Sequence, residues 1–354
     1  MHVILLRLVG VSCFLHAISV AAQEPAAAMN WSQLPKIPDR EGFASPFAGV
    51  SGGALIVAGG ANITGDRWKE PLTKKWYDSV FVLEKPDGKW RTGFKLPRPI
   101  GYGVSVTVND GVLCFGGSDA TRHYSSSFRL AWKGGKVRTT ALPPLPQPCA
   151  NACGALVGHT IYIAGGIATP TATTALHTFW ALDLDAPEPI WVELDQWPGP
   201  ERMLAVAGVY DGSFYLFSGA KLSVDADGKP VREFLRDAYR YTPGQGWKQL
   251  AALPRAAVAA PSPAPVLGSS LAIFSGDDGL NVTFQPVKEH PGFPRNTLLY
   301  DTEADAWTML ANGPFSRATA PVVSWLDRVV IPNGEVRPRV RTPEVWSLRV
   351  APTP

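Results

Sequence analysis

Leu55-Ile-Val-Ala-Gly59-Gly60, Val112-Leu-Cys-Phe-Gly116-Gly117, Ile161-Tyr-Ile-Ala-Gly165-Gly166, Phe214-Tyr-Leu-Phe-Ser218-Gly219, Leu271-Ala-Ile-Phe-Ser275-Gly276 and Val329-Val-Ile-Pro-Asn333-Gly334 are six versions of one unit, an apolar run ending in a tight small-residue turn. They recur at intervals of 57, 49, 53, 57 and 58 residues, the signature of a repeat architecture. Upstream of five of the turns a Trp stands at a near-constant distance: Trp31, Trp90, Trp191, Trp247 and Trp307; only the third unit lacks it, with Val137 and Arg138 near that slot. Between turn and Trp lies a further apolar segment with an acidic or turn-forming end, such as Phe179-Trp-Ala-Leu-Asp183 or Thr297-Leu-Leu-Tyr-Asp301. Such ends stop strands. Each unit therefore reads as four short antiparallel strands in about 50 residues, a β-propeller blade.

The repeat resembles the kelch repeat from about Trp31 to Val350, which implies an all-β, six-bladed kelch-type β-propeller. In sequence order the units do not close. Trp31 opens the chain on a lone fourth strand, and the sixth unit stops at its third, Trp346-Ser-Leu-Arg-Val350. Pairing the two ends would complete the last blade and remove a free sheet edge. One domain over residues 23–354, closed by an N-terminal strand near 30–35, is the expectation.

Composition agrees with a turn-rich soluble core. Gly (34) and Pro (33) are abundant, and 45% of residues are hydrophobic. Twelve Trp with near-balanced charge exclude a disordered polyelectrolyte, and a net +3 without Lys/Arg clusters gives no support to nucleic-acid binding. Residues 1–22 carry Arg7, an apolar run from Leu8 to Val20 and the small residues Ala21 and Ala22, which reads as a cleaved secretory signal too short to span a bilayer. The expected mature protein is periplasmic or secreted, without a membrane span. It keeps Cys114, Cys149 and Cys153, an odd number, so no disulfide framework holds the fold; a Cys149–Cys153 bridge would need a turn, and small buried thiols are the simpler reading. The scattered histidines and the lack of Cys-x-x-Cys suggest no metal site.

In a blade, the start of the first strand and the end of the second lie on the same face. One funnel rim is therefore expected to carry the residues after the turns, Asn62, Ser118, Asp119, Lys221, Asp277, Asp278 and Glu335, together with Arg98, Arg202, Arg255 and Arg317 ahead of the innermost strands. Several converging arginines repel unless an anion joins them, and guanidinium groups grip a carboxylate bidentately. A carboxylate-bearing small molecule is the expected ligand.

The last unit is the most distinctive: Asn333-Gly334-Glu335, followed by Arg337, Arg339 and Arg341-Thr342. Here the chain resembles the kelch-type N-acetylneuraminate epimerases, or sialic acid mutarotases, through Asn333-Gly-Glu335, Arg341-Thr342, Gly42-Phe-Ala, Phe47-Ala-Gly49, Leu55-Ile-Val-Ala-Gly-Gly-Ala61 and Tyr102-Gly-Val-Ser105. Its Phe-Ala-Gly segment precedes Asn-Gly-Glu, the reverse of the bacterial epimerases, so it looks like a cyclically permuted relative, which a closed ring tolerates. The resemblance implies a cofactor-independent isomerase with Glu335 as proton acceptor and Arg341 as substrate ligand. Opening a cyclic hemiketal needs a base for the anomeric hydroxyl and an acid for the ring oxygen, and no cofactor. An alternative keeps the fold without catalysis, as a propeller that binds a glycan or protein at its rim.

Overall fold

The computed structural model describes residues 29–350; the expected signal segment lies outside them. Six four-stranded antiparallel sheets surround one axis. Blade 1 is β2 (Phe47–Ser51), β3 (Ala54–Ala58), β6 (Ser79–Leu83) and β7 (Arg91–Lys95); blade 2 is β8 (Val104–Val108), β9 (Gly111–Phe115), β10 (Ser127–Lys133) and β11 (Lys136–Leu142). Blade 3 comprises β12 (Cys153–Val157), β13 (Thr160–Ala164), β14 (Phe179–Asp183) and β15 (Trp191–Glu193), and blade 4 β16 (Val206–Tyr210), β17 (Ser213–Phe217), β20 (Ala238–Thr242) and β21 (Gly246–Leu250). Blade 5 is β22 (Val266–Leu267), β23 (Ser270–Phe274), β24 (Asn296–Asp301) and β25 (Ala306–Asn312). Blade 6 takes β26 (Val323–Trp325), β27 (Arg328–Pro332) and β30 (Val345–Arg349) from the C-terminal end and β1 (Trp31–Leu34) from the N-terminal end. Trp31 pairs with Leu348 and Leu34 with Val345, so the chain ends close the ring as the unfinished repeat predicts.

Second strands such as Ala54–Ala58 and Gly111–Phe115 are buried at every position because neighbouring blades cover both faces. The turn that follows explains the small-residue signature. Its second position is always Gly, at φ between 83° and 105°, and a Cβ there would sit within 3 Å of neighbouring atoms in every blade. The first position lies near φ 54° to 69°, in the left-handed region, which Ser218, Ser275 and Asn333 also tolerate.

The regularly spaced tryptophans link blades. On or beside the outer strands, Trp90, Trp191, Trp247 and Trp307 donate their indole N–H to the carbonyls of Pro35, Pro143, Asp195 and Ala251 in the preceding blade, at 2.8 to 3.2 Å. Each such bond is worth about 1 kcal/mol. In blade 2, Val137 does occupy the outer slot, and the indole comes from its cross-strand partner Trp132 on β10 instead. Trp132 is buried and edge-on to Phe94 of blade 1.

Three hairpins rise from the second-strand ends: β4 (Ala61–Thr64) with β5 (Thr73–Trp76), β18 (Ala220–Val224) with β19 (Pro230–Phe234), and β28 (Glu335–Arg337) with β29 (Val340–Arg341). A single 3-10 turn at Val287–Glu289 is the sole helical element among the described residues, and no helix there is long and apolar enough to cross a membrane. Cys114, Cys149 and Cys153 are buried free thiols; burial pushes Cys149 and Cys153 up to about 12.

Candidate active site

Around the axis, six residues form a closed belt of backbone hydrogen bonds. The N–H of Tyr102 donates to Ser45, Asn151 to Tyr102, Leu204 to Asn151, Ala259 to Leu204, Thr319 to Ala259 and Ser45 to Thr319, all at 2.7 to 3.0 Å. All six residues have φ between 45° and 63°. Ser45, Tyr102, Asn151, Leu204 and Thr319 each stand fifteen residues before the second Gly of their turn, and Ala259 seventeen before, a regularity the sequence contains but which mixed side chains conceal. Five of the six line the base of a cavity of about 450 Å³ at the mouth, a size suited to a sugar-sized molecule. Lys74, Trp76, Asp119, His123, Arg232, Asp277, Glu335, Arg339 and Arg341 complete its polar wall.

Glu335 and Arg341 are direct cross-strand partners in the β28–β29 hairpin, which sets their side chains together. Arg341 Nη1 lies 3.0 Å from Glu335 Oε1, with the two side chains 5% and 16% exposed. The approach is off-axis, and Arg341 Nε and Nη1, although buried, complete no hydrogen bond. Glu335 also accepts weakly from Thr319 Oγ1 at 3.4 Å and from the Arg339 N–H at 3.3 Å. Its backbone is fixed by reciprocal 2.8 Å bonds with Ala318. Arg339 adopts φ 72° at the hairpin tip, held by Glu70 at 2.6 Å and by the Arg67 carbonyl at 3.2 Å.

The convergence expected of the other arginines does not occur; none of the four lines this cavity. Arg202 is wholly buried, bidentate to Asp237 at 2.8 and 2.6 Å, and donates to Ser218 O. Arg255 binds Asn296 Oδ1 and the carbonyls of Ser275 and Ala256, so with Arg202 it fastens the turn of its own blade. Arg317 is buried beside Glu344 at 3.4 Å, and burial lowers its guanidinium to about 10. Arg98 lies over the Tyr124 ring on a separate surface pocket. Arg202, Arg255 and Arg317 found hydrogen-bonding partners inside their blades, which spacing alone does not show. Asn62 is likewise buried and engaged, donating to Gly42 O and accepting from the Ile63 N–H. Of the expected rim set, Ser118, Asp119, Asp277 and Glu335 line the cavity.

The environments of these groups differ. Burial pushes the Asp119 carboxyl up, but hydrogen bonds from Tyr124 and from Thr121 and Arg122 outweigh it and hold it at about 2. Burial lowers His123, whose Nδ1 meets the Ile167 carbonyl at 3.0 Å and must therefore carry the proton. Lys74 Nζ stands 4.0 Å above the Tyr102 ring. Among the described residues, no three His, Cys, Asp or Glu side chains gather as metal ligands would.

A family model described as N-acetylneuraminate epimerase matches residues 16–139 and 142–279, well over half of the chain. The chain belongs to the N-acetylneuraminate epimerase family. It is 30% identical over 226 residues to an N-acetylneuraminate epimerase from Haemophilus influenzae (strain 86-028NP), an alignment covering 57% of each protein. It is 38% identical over 109 residues to one from Yersinia pestis (strain Pestoides F), 28% of this chain and 27% of the relative. The chain thus spans little more than half the length of the Haemophilus relative it matches. The family match ends at residue 279, so the Glu335–Arg341 hairpin lies beyond it. Within the matched stretch, the cavity-lining Lys74, Trp76, Asn151 and Arg232 were not singled out by the sequence; Arg232 and the pair Lys74 and Trp76 stand on hairpins that follow a turn, which is the signal that could have found them.

Proposed function

We propose that this protein interconverts the α and β anomers of N-acetylneuraminate. Glu335 takes the anomeric hydroxyl proton as the ring opens. The carbonyl carbon then turns its other face to the ring hydroxyl, and Glu335 returns the proton after reclosure. Arg341, on the cavity wall, grips the sugar carboxylate, orienting the anomeric carbon and stabilising developing negative charge. The C–O bond to the ring oxygen breaks and re-forms, an acid of the site lending the ring oxygen a proton and taking it back on reclosure, and these steps call for no cofactor. The observation that carries this reading is the ion pair of Glu335 with Arg341 at the wall of the mouth cavity. Family membership supports the substrate. The N-terminal apolar segment supports export to the periplasm or beyond the cell.

The test is anomer-resolved proton NMR on freshly released α-N-acetylneuraminate at neutral pH. Catalytic amounts of protein should shorten the approach to anomeric equilibrium. A propeller that merely binds glycan would leave the rate unchanged at enzyme-to-substrate ratios well below one.

A further inference from the structure

The reaction needs an acid as well as a base, and the propeller's own pseudosymmetry locates one. The residue after each turn Gly is Ala61, Ser118, Ile167, Ala220, Asp277 or Glu335, and each pairs by an isolated bridge with the residue immediately before a belt residue. Two of these six equivalent positions carry carboxyl groups. They belong to adjacent blades: Asp277 bridges Val258 beside Ala259, and Glu335 bridges Ala318 beside Thr319, with Ala259 and Thr319 consecutive members of the belt. Both line the same cavity.

We propose that Asp277 is the general acid of the site, protonating the ring oxygen while Glu335 deprotonates the anomeric hydroxyl. The inference rests on the mutarotase reading above. On opening, the bond between the anomeric carbon and the ring oxygen breaks, its electron pair goes to that oxygen, and the oxygen takes the Asp277 proton. Glu335 meanwhile accepts the hydroxyl proton as the carbonyl forms. On reclosure the same hydroxyl attacks the carbonyl from the other face and gives its proton back to Asp277, and Glu335 protonates the new anomeric oxygen. Both carboxyls end as they began.

The two groups are set for opposite roles. Glu335 is ion-paired with Arg341. Asp277 makes no ion pair among the described residues, and it accepts one protein hydrogen bond, from the Gly279 N–H to Oδ1 at 3.0 Å. Burial raises its carboxyl, with a further rise from neighbouring Asp278; Gly279, His290 and Arg232 pull the other way without prevailing. A carboxyl that burial favours in its protonated form can donate that proton, which is what the acid role asks of Asp277. His123 does not suit the acid role, because its protonated Nδ1 is turned to the Ile167 carbonyl and burial disfavours a second proton.

Asp277→Asn keeps the acceptor for Gly279 and tests the proposal directly. By anomer-resolved NMR, kcat should fall about a hundredfold, in the range expected for loss of a general acid, with KM within about twofold. The alkaline fall of the wild-type kcat profile should vanish in D277N, while Asp277→Glu should recover part of the rate. A thermal unfolding midpoint close to wild type would attribute the loss to chemistry. Undiminished kcat in D277N beside an active wild type would overturn the role of Asp277 and leave the mutarotase reading standing. A wild type that leaves anomer exchange unaccelerated would overturn that reading and this role together. A D277N defect in KM alone, or one that D277E worsens, would make Asp277 a binding or structural group.

Discussion

Arg202 and Arg341 are both buried arginines near a carboxylate, yet they belong to different kinds of place. Arg202, ahead of blade 4, has its Nε on Pro200 O, Nη1 on Ser218 O and Asp237, Nη2 on Asp237, and its plane between Trp197 and Tyr239. Arg341, on a two-residue strand above blade 6, ion-pairs with Glu335 through Nη1, and neither that nitrogen nor its buried Nε completes a hydrogen bond. A buried donor without a partner costs roughly 1–3 kcal/mol; Arg317 also keeps two such nitrogens without lining the cavity, so the place of Arg341 on the cavity wall is what sets it apart. Arg202 engages its donors within the blade and holds it together, whereas Arg341 stands on the cavity wall with its guanidinium only partly engaged.

Four measurements sharpen or break that contrast. Glu335→Gln should lower kcat by roughly 10²- to 10⁴-fold, as expected when a general base is removed, while saturation-transfer NMR still detects bound sugar. Near-normal turnover would remove Glu335 as the base. Arg202→Ala should leave half-buried Asp237 without its guanidinium, open a gap where the arginine was, and reduce stability by roughly 2–4 kcal/mol in urea denaturation, with kcat unchanged in the protein that remains folded. Arg341→Ala should instead weaken sugar-acid affinity about ten- to a hundredfold, the worth of a charge-assisted pair, with a much smaller change in urea midpoint than Arg202→Ala. If the two variants exchanged phenotypes, the distinction drawn from donor engagement would fail. Smallest is Trp247→Phe, which deletes the bond to Asp195 O and should cost about 1 kcal/mol in the same denaturation assay without touching activity.

The ring was legible because its constraints are local. A Gly that must adopt φ near 100° with no room for a Cβ, and an indole that must reach a fixed carbonyl one blade back, leave marks at constant spacing. The lone fourth strand at Trp31 and the missing one after Val350 together predicted the closure that β1 and β30 make. Glu335 and Arg341 were legible through the Asn333-Gly-Glu335 and Arg341-Thr342 motifs, and the hairpin that opposes them is what the structure adds. The other arginines were not, because their direction depends on Asp237, Asn296 and Glu344, each 27 to 41 residues further along the chain. Spacing placed Arg202 and Arg255 ahead of an inner strand and could not reveal that a partner inside the blade would outcompete the mouth.

The backbone belt at the base of the cavity also bears on how this scaffold can change. Its six bonds join main-chain atoms, so Ser45, Tyr102, Asn151, Leu204, Ala259 and Thr319 hold one conformation with six unlike side chains. Selectivity is thereby uncoupled from architecture at that tier: swapping residues there, one blade at a time, would retune what the cavity admits while the main-chain hoop stays intact, and evolution or a directed library could explore the five cavity-lining positions nearly independently.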